Sequence, residues 1–374
     1  MLLCEKSITF ATLKLNNTKT TMKKLFFTLV ALATMMVCAP ASAKKKAPAE
    51  KDMGAYLMVY HKDATHGLYM AVSYDGHTFT SLNGDTPVMA GDTIALQKGI
   101  RDPHIFRAPN GSFYIAMTDL NIYKDQAGRD TEWERDGKKF GWGNNRALVL
   151  MKSDDLIHWK RTNVRFDTMD PSLADIGCVW APETAYDYAK KKLVIYFTMR
   201  HGVGMNKLYY CYVNDEFDKV ETLPKELFVY PKEGISAIDG DICYAQGKYH
   251  LFYCAHDGTA GIKQATSDNI YGPWEYAPEY LDNEKGGCEA PHVFKLIGQD
   301  KWILMYDIYS IKPHNFGFME TTDFKTFKPL GRFDAGEMKR TNFQEQKHGA
   351  VCWLTVKEAK KLQKYWAKRA AEKK

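Results

Sequence analysis

The sequence predicts an all-β protein, a five-bladed β-propeller followed by a short C-terminal helix. Three observations carry the prediction. Short runs rich in Tyr, Phe, Val and Ile dominate from Tyr56 onward, separated by Gly, Asn and Asp turns, while helical periodicity is scarce. Four stretches line up as hairpins with a carboxylate near the entrance: DPHIFRAPNGSFYIAMTD, APETAYDYAKKKLVIYFTM, IDGDICYAQGKYHLFYCAHD and EAPHVFKLIGQDKWILMYD. A polar-Asp turn phrase occurs five times, as SYDGHTF from Ser73, SDDLIHW from Ser153, NDEFDKV from Asn214, SDNIYGPW from Ser267 and TDFKTF from Thr322. Each phrase leads to an apolar residue suited to plug the gap between neighbouring sheets. Repeats at a period of roughly 50 to 80 residues, each with room for four short strands, describe propeller blades.

In chain order, Met22, Lys23 and Lys24 precede the run LFFTLVALATMMVCAP, which closes on Ala41-Ser42-Ala43. A charged start, an apolar run and small residues at alternate positions predict a cleaved secretory signal over residues 1–43, the first 21 residues reading as an upstream extension. The expected location is periplasmic or extracellular. No second apolar run of about 20 residues follows, so no transmembrane segment is expected after signal removal. Residues 44–54 read as a flexible linker and 55–355 as the propeller. The opening unit, AYLMVYHK to GLYMAVSYDG, lacks the acidic entrance, as suits an end blade that closes the ring. Residues 356–374 read as a basic tail: Thr355 and Glu358 have capping-box spacing, and Ala359, Leu362 and Trp366 share one face of a helix over 356–370.

The formal charge of +6 sits at the two ends. Residues 1–43 hold five Lys and one Glu, and 360–374 hold six Lys, one Arg and one Glu, which leaves the body mildly acidic. With no central basic patch to grip phosphates, nucleic acid is not an expected partner. Cys178, Cys211, Cys243, Cys254, Cys288 and Cys352 show no regular spacing and no CxxC pair, so buried free thiols are expected rather than a zinc site or a disulfide scaffold. A monomer is expected.

In a propeller the innermost strand of each blade lines the central channel, so entrance residues distant in sequence converge on one face. Carboxylates gathered there repel one another and lose water, which destabilises the fold unless a site uses them. Three such groups suit hydrolysis of a glycosidic bond: one carboxylate activates water, one carboxylic acid protonates the leaving oxygen, and a third charge holds the proton on that acid. Asp102, Asp239 and Glu289 are the candidates, with Asp241 as the alternative to Asp239.

Taken in order, IRDPHIF, VWAPE, AIDGDICYAQGKYHLFY and CEAPHVFK resemble the motifs of glycoside hydrolase family 43, over about residues 55–355. The resemblance implies a five-bladed propeller catalytic domain that removes sugars from arabinose- and xylose-containing glycans with inversion. It implies Asp102 as general base, Asp239 as the residue that orients the acid and modulates its pKa, and Glu289 as general acid. It also implies substrate contact for Trp180 and Glu183, the latter standing where the family commonly has Asp. His348 is similar to a late histidine that contacts a metal or a water cluster, so the resemblance allows a structural calcium, with no cofactor needed for the chemistry. The polar segment from Tyr123 to Asn145, with Trp133 and Trp142, is expected at the pocket rim, Trp142 touching substrate. The expected activity is α-L-arabinofuranosidase. β-Xylosidase, galactan-active glycosidase and a non-catalytic carbohydrate-binding propeller are the alternatives, each with an oligosaccharide or polysaccharide partner.

Overall fold

The computed structural model describes residues 46–122 and 135–372. Five sheets, antiparallel but for one outer-edge pair, make the blades. The first contains β1 (Ala55–His61), β2 (Leu68–Ser73) and β3 (Thr78–Ser81), and the second β4 (Ile100–Arg107), β5 (Phe113–Asp119), β6 (Ala147–Ser153) and β7 (Lys160–Arg165). The third is β8 (Ile176–Asp187), β9 (Lys192–His201), β10 (Lys207–Val213) and β11 (Lys225–Phe228). The fourth is β12 (Ala237–Ala245), β13 (Lys248–Ala255), β14 (Gly261–Ser267) and β15 (Glu275–Tyr276). The fifth is β16 (Glu289–Lys295), β17 (Trp302–Ile308), β18 (Asn315–Thr321), β19 (Lys328–Arg332) and β20 (Ala335–Gly336). The chain then returns to blade 1, where β21 (Lys339–Arg340) adds to the outer edge and β22 (Lys347–Leu354) pairs with β1 as the innermost strand. The opening unit lacks an acidic entrance because the channel strand of its blade comes from the other end of the chain.

Strand side chains alternate between two faces, so each sheet meets a neighbour on either side. The apolar residues accordingly fall into one cluster per gap, as with Leu57, Ile105 and Val149 between blades 1 and 2, or Tyr114, Phe197 and Phe217 between blades 2 and 3. Rings span the gaps in edge-on pairs: Tyr114 and Phe217 lie 5.0 Å apart, Phe166 and Phe197 also 5.0 Å, and Tyr56 and Phe294 6.0 Å. Burying one Phe stabilises by about 1.5–3 kcal/mol, which makes the aromatic content a structural necessity of five face-to-face contacts.

The repeated turn phrase closes the third strand of every blade. Ser73, Ser153 and Thr321 each turn a side-chain oxygen onto the backbone N–H three residues on, at Gly76, Leu156 and Phe324, and Asn214 accepts from Asp218 and Lys219. The apolar residue that follows is buried, as Leu156, Phe217, Ile270 and Phe324 are.

Helix α1 (Val356–Glu372) carries the expected capping box: Glu358 N–H donates to Thr355 Oγ1 at 3.2 Å, and Thr355 N–H to Glu358 Oε2 at 2.8 Å. Ala359, Leu362 and Trp366 join the cluster between blades 1 and 2. No described helix is long and apolar enough to cross a membrane. All six cysteines among the described residues are free, and all but Cys243 are buried. The expectation of a flexible linker over 44–54 is corrected from Lys46 on. Ala47 N–H bonds Pro109 O at 2.9 Å, both oxygens of Glu50 meet Lys295 Nζ at 3.1 Å, and Gly54 N–H bonds Leu354 O at 3.0 Å, so the segment is strapped to the channel end opposite the site described next. The predicted signal segment and residues 123–134 of the segment expected at the rim, Trp133 included, lie outside the described residues.

Candidate active site

Each innermost strand breaks its pairing in the same four-residue frame, and β8 breaks it a second time between Ile176 and Cys178. The frames are Arg101-Asp102-Pro103-His104, Trp180-Ala181-Pro182-Glu183, Ile238-Asp239-Gly240-Asp241, Glu289-Ala290-Pro291-His292 and Lys347-His348-Gly349-Ala350. The second residue takes a left-handed conformation in all five, with φ of 51° at Asp102, 45° at Ala181, 54° at Asp239, 54° at Ala290 and 37° at His348. These are β-bulges, and Pro or Gly at the third place suits a position that gives no N–H to the ladder or needs an unhindered backbone. Left-handed backbone at a residue with a Cβ is strained and survives only where its surroundings fix it.

What fixes it is the blade before. The first residue of each frame pairs with a second-strand residue, Arg101 with Thr118, Trp180 with Thr198, Ile238 with Cys254, Glu289 with Asp307 and Lys347 with His61. That side chain takes up the bulge N–H of the next blade. Asp102 N–H donates to His61 Nδ1 (3.2 Å), Ala181 N–H to Thr118 Oγ1 (2.8 Å), Asp239 N–H to Thr198 Oγ1 (2.9 Å) and His348 N–H to Asp307 Oδ2 (3.3 Å). In blade 4 the place is held by Cys254, a weak acceptor, and the Ala290 N–H goes to the Asp239 carboxyl instead.

The frame sorts the side chains into three levels down the channel. At the top, Arg101, Trp180, Ile238, Glu289 and Lys347, the first residues of the five frames, all line one cleft of about 710 Å³. Trp142 lines it as well, exposed and 6.1 Å edge-on to Trp180, whose Nε1 donates to Gly143 O at 2.9 Å. The Arg200 guanidinium lies 4.6 Å over the Trp180 ring.

Asp102, Asp239 and His348 form the middle level. Thr118 Oγ1–H donates to Asp102 Oδ2 at 2.7 Å, and His348 Nδ1 lies 3.3 Å from Asp102 Oδ1. Burial opposes charge on Asp102, but His348 and Arg101 outweigh it and hold the carboxyl well below the usual range. Asp239 is pushed up to about 7 by burial, with His348 opposing and the charges of Glu289 and Asp102 adding to the rise. The three predicted carboxylates therefore converge, but Glu289 stands one position earlier in its frame than the two aspartates and so faces the cleft while they lie beneath it. Arg101, Asp63, Thr118, Asp307 and Lys347 were not expected in the site. Arg101 and Lys347 could have been found by aligning the Pro/Gly position, which puts them level with Glu289. Asp63, which bonds Arg101 Nη1 at 2.6 Å, has no such signal.

Glu183 is a correction. It does not line the cleft: two residues past its bulge, it belongs to a buried third level with His104, Asp241 and His292, whose ligand-type atoms all lie within 4.8 Å of one another. Asp241 is likewise separated from the cleft. This level again links blade to blade. Thr184 N–H donates to His104 Nδ1 (3.1 Å), Tyr196 Oη–H to Glu183 Oε2 (2.9 Å) while accepting from Ile242 N–H (2.9 Å), Val293 N–H to Asp241 Oδ2 (2.6 Å) and Val351 N–H to His292 Nε2 (2.9 Å).

The third level has the composition of a metal site but not the disposition of one. Each imidazole already accepts a backbone N–H on one nitrogen, so a neutral ring turns its own N–H inward, His104 Nε2 toward Glu183 Oε2 (3.9 Å) and His292 Nδ1 toward Asp241 Oδ1 (3.5 Å). Burial and the neighbouring His292 push His104 down to about 3, which keeps it neutral. Burial and the Asp241 charge push Glu183 well above the ordinary carboxyl value, so the pair holds a proton. Calcium prefers six to eight oxygen ligands. The described side chains around His348 and below it do not offer them.

A family description, "Probable glycosyl hydrolase domain" of the family 43-related type, matches residues 51–360, which takes in every blade and all five frames. The chain belongs to that family. An α-L-arabinofuranosidase of Bifidobacterium longum subsp. longum is 25% identical over 170 residues, 42% of this chain and 14% of that one. The chain therefore spans only a small part of the curated relative it matches. The endo-arabinase of Bacteroides thetaiotaomicron VPI-5482 superposes with a TM-score of 0.52 at 14% identity, covering 79% of this chain and 97% of that one. An endo-1,4-beta-xylanase of the same organism gives 0.52 at 15%, covering 77% and 93%. Likeness at these identities is one of fold, and for this family member it agrees with the five sheets described above.

Proposed function

We propose that the protein removes terminal sugars, α-L-arabinofuranose foremost, from plant-type glycans by a single displacement that inverts the anomeric carbon. The observation that carries this reading is the convergence of three blades' carboxyls, Glu289 in the wall of a cleft with two tryptophans and Asp102 and Asp239 directly beneath it. In the reaction, a water attacks the anomeric carbon and gives one proton to Asp102, which its surroundings keep ionised. The carboxylic acid of Glu289 gives its proton to the glycosidic oxygen as that C–O bond breaks. Asp239 caps the Ala290 N–H in the bulge that carries Glu289 and so helps to orient the acid. The rings of Trp180 and Trp142 offer apolar faces to a sugar, and the arabinofuranosidase relative supports the furanoside preference.

A panel of nitrophenyl glycosides, with NMR of the first anomer released, tests the proposal. Hydrolysis of the α-L-arabinofuranoside with inversion is expected, and Asp102→Asn and Glu289→Ala are expected to lower kcat by about 10²- to 10⁴-fold on unactivated substrates. Turnover of only xylosides or galactosides would move the substrate assignment, and retained configuration would overturn the single displacement. Oligosaccharide affinity without any hydrolysis would make the protein a binding propeller.

A further inference from the structure

We propose that Lys347 is a positioning residue for Glu289: a buried ammonium held between two carboxylates that aims the acid into the cleft and takes up its negative charge as the proton leaves. The proposal rests on the reading of Glu289 as proton donor. Glu289 and Asp307 face each other across the β16–β17 pair, where like charges directly opposite destabilise a sheet. Lys347 enters between them from β22, the strand that closes the ring. Its Nζ lies 3.4 Å from Glu289 Oε1 and 3.4 Å from Asp307 Oδ2, with its side chain only 6% exposed.

Neither carboxylate satisfies it alone. Asp307 is fully buried, its Oδ2 also receives the His348 N–H, and its Oδ1 has no hydrogen-bond partner. Burial pushes Asp307 up to about 6, with Lys347 opposing and Glu289 adding to the rise. The other groups facing Glu289 are Arg101, Asp239, His348, His256, Cys254 and Tyr309. When Glu289 carries its proton, Lys347 and Asp307 balance as a pair. When the proton passes to the glycosidic oxygen, two carboxylates share the one cation, and the equal distances let Lys347 serve Glu289 without leaving Asp307. Removing a buried cation between two acids leaves uncompensated charge, so the effect is large.

The test compares leaving groups, because a dinitrophenolate departs without protonation and a sugar or alkyl alcohol does not. In Lys347→Met, kcat/KM is expected to fall about a hundredfold for a disaccharide-type substrate and under about threefold for the dinitrophenyl glycoside. The alkaline limb of the pH profile moves to higher pH, since losing a nearby cation favours the protonated acid. Lys347→Arg restores most of the loss. Asp307→Asn, which removes the like charge instead, moves the same limb to lower pH and carries the test should Lys347→Met not fold. Equal losses for both leaving groups with an unmoved pH limb would leave Lys347 a structural ion pair and overturn the proposal alone. A wild type inactive on every glycoside would overturn it together with the reading of Glu289.

Discussion

Glu183 and Asp241 show how much a single carboxyl depends on its level in the channel. Two frame positions higher, Asp102 and Asp239 are held in strained backbone beneath the cleft, while this pair meets each other, imidazole N–H groups, a tyrosine and backbone N–H groups. Glu183 keeps its proton in the folded protein and loses it near pH 4.5 when unfolded, because burial and Asp241 raise it. A carboxyl raised on folding stabilises fully below its unfolded pKa, and that contribution is lost as pH rises toward the folded value. Glu183→Gln mimics the protonated form. Its stability relative to wild type is therefore expected to grow from pH 5 to pH 7, by up to about 1.4 kcal/mol per pH unit, in urea melts at each pH. A constant difference across that range would mean that Glu183 is ionised in the fold. At this scale the sequence disclosed the chemistry-bearing residues Asp102, Asp239 and Glu289, but not their levels. Reading the acids as equivalent hid the offset of one, which only the shared Pro or Gly position reveals. Asp63 and Asp307 were hidden for a different reason: their partners come from strands far away in sequence.

Among the elements, the innermost hairpins and the turn phrases were legible because both obey local rules, alternation in the strands and a polar side chain closing on its own backbone. The C-terminal helix was legible too, from its capping spacing and its apolar face, and it ends at Glu372, close to the expected boundary. What fastens it was not. Arg107, at the end of β4, forms a two-pronged bond to Glu358 with distances of 2.7 and 3.0 Å, and this contact joins residues 251 apart. Trp366 is buried against blades 1 and 2 and takes no part in the cleft. Trp366→Ala is expected to destabilise by about 3 kcal/mol through the cavity it leaves, with kcat/KM unchanged at 25 °C. A melting temperature equal to wild type would mean that the helix is not docked in solution. The strap of residues 46–53 escaped sequence reading for the same reason as Arg107, since Lys, Ala and Pro composition resembles a linker until its partners Lys295 and Pro109 are known.

For the molecule as a whole, ring closure turns separated motifs into one site, and β22 supplies both the last inner strand of the ring and the Lys347-His348 pair. The repeat count made the five sheets readable from sequence, whereas the use of a C-terminal strand to complete the first blade was not, because a short KHGAVCWL run carries no mark of where it pairs. The third level has a consequence for traffic. With polar atoms from four blades within 4.8 Å of one another on the axis, and Ala47, Pro48 and Met53 at the far mouth, a pyranose or furanose ring cannot pass through. The cavity is a blind well rather than a tunnel. Under the proposed removal of terminal sugars, the monosaccharide would have to back out past the incoming chain end, so competitive inhibition by the free sugar is expected in initial-rate assays, and purely noncompetitive behaviour would show a second way out.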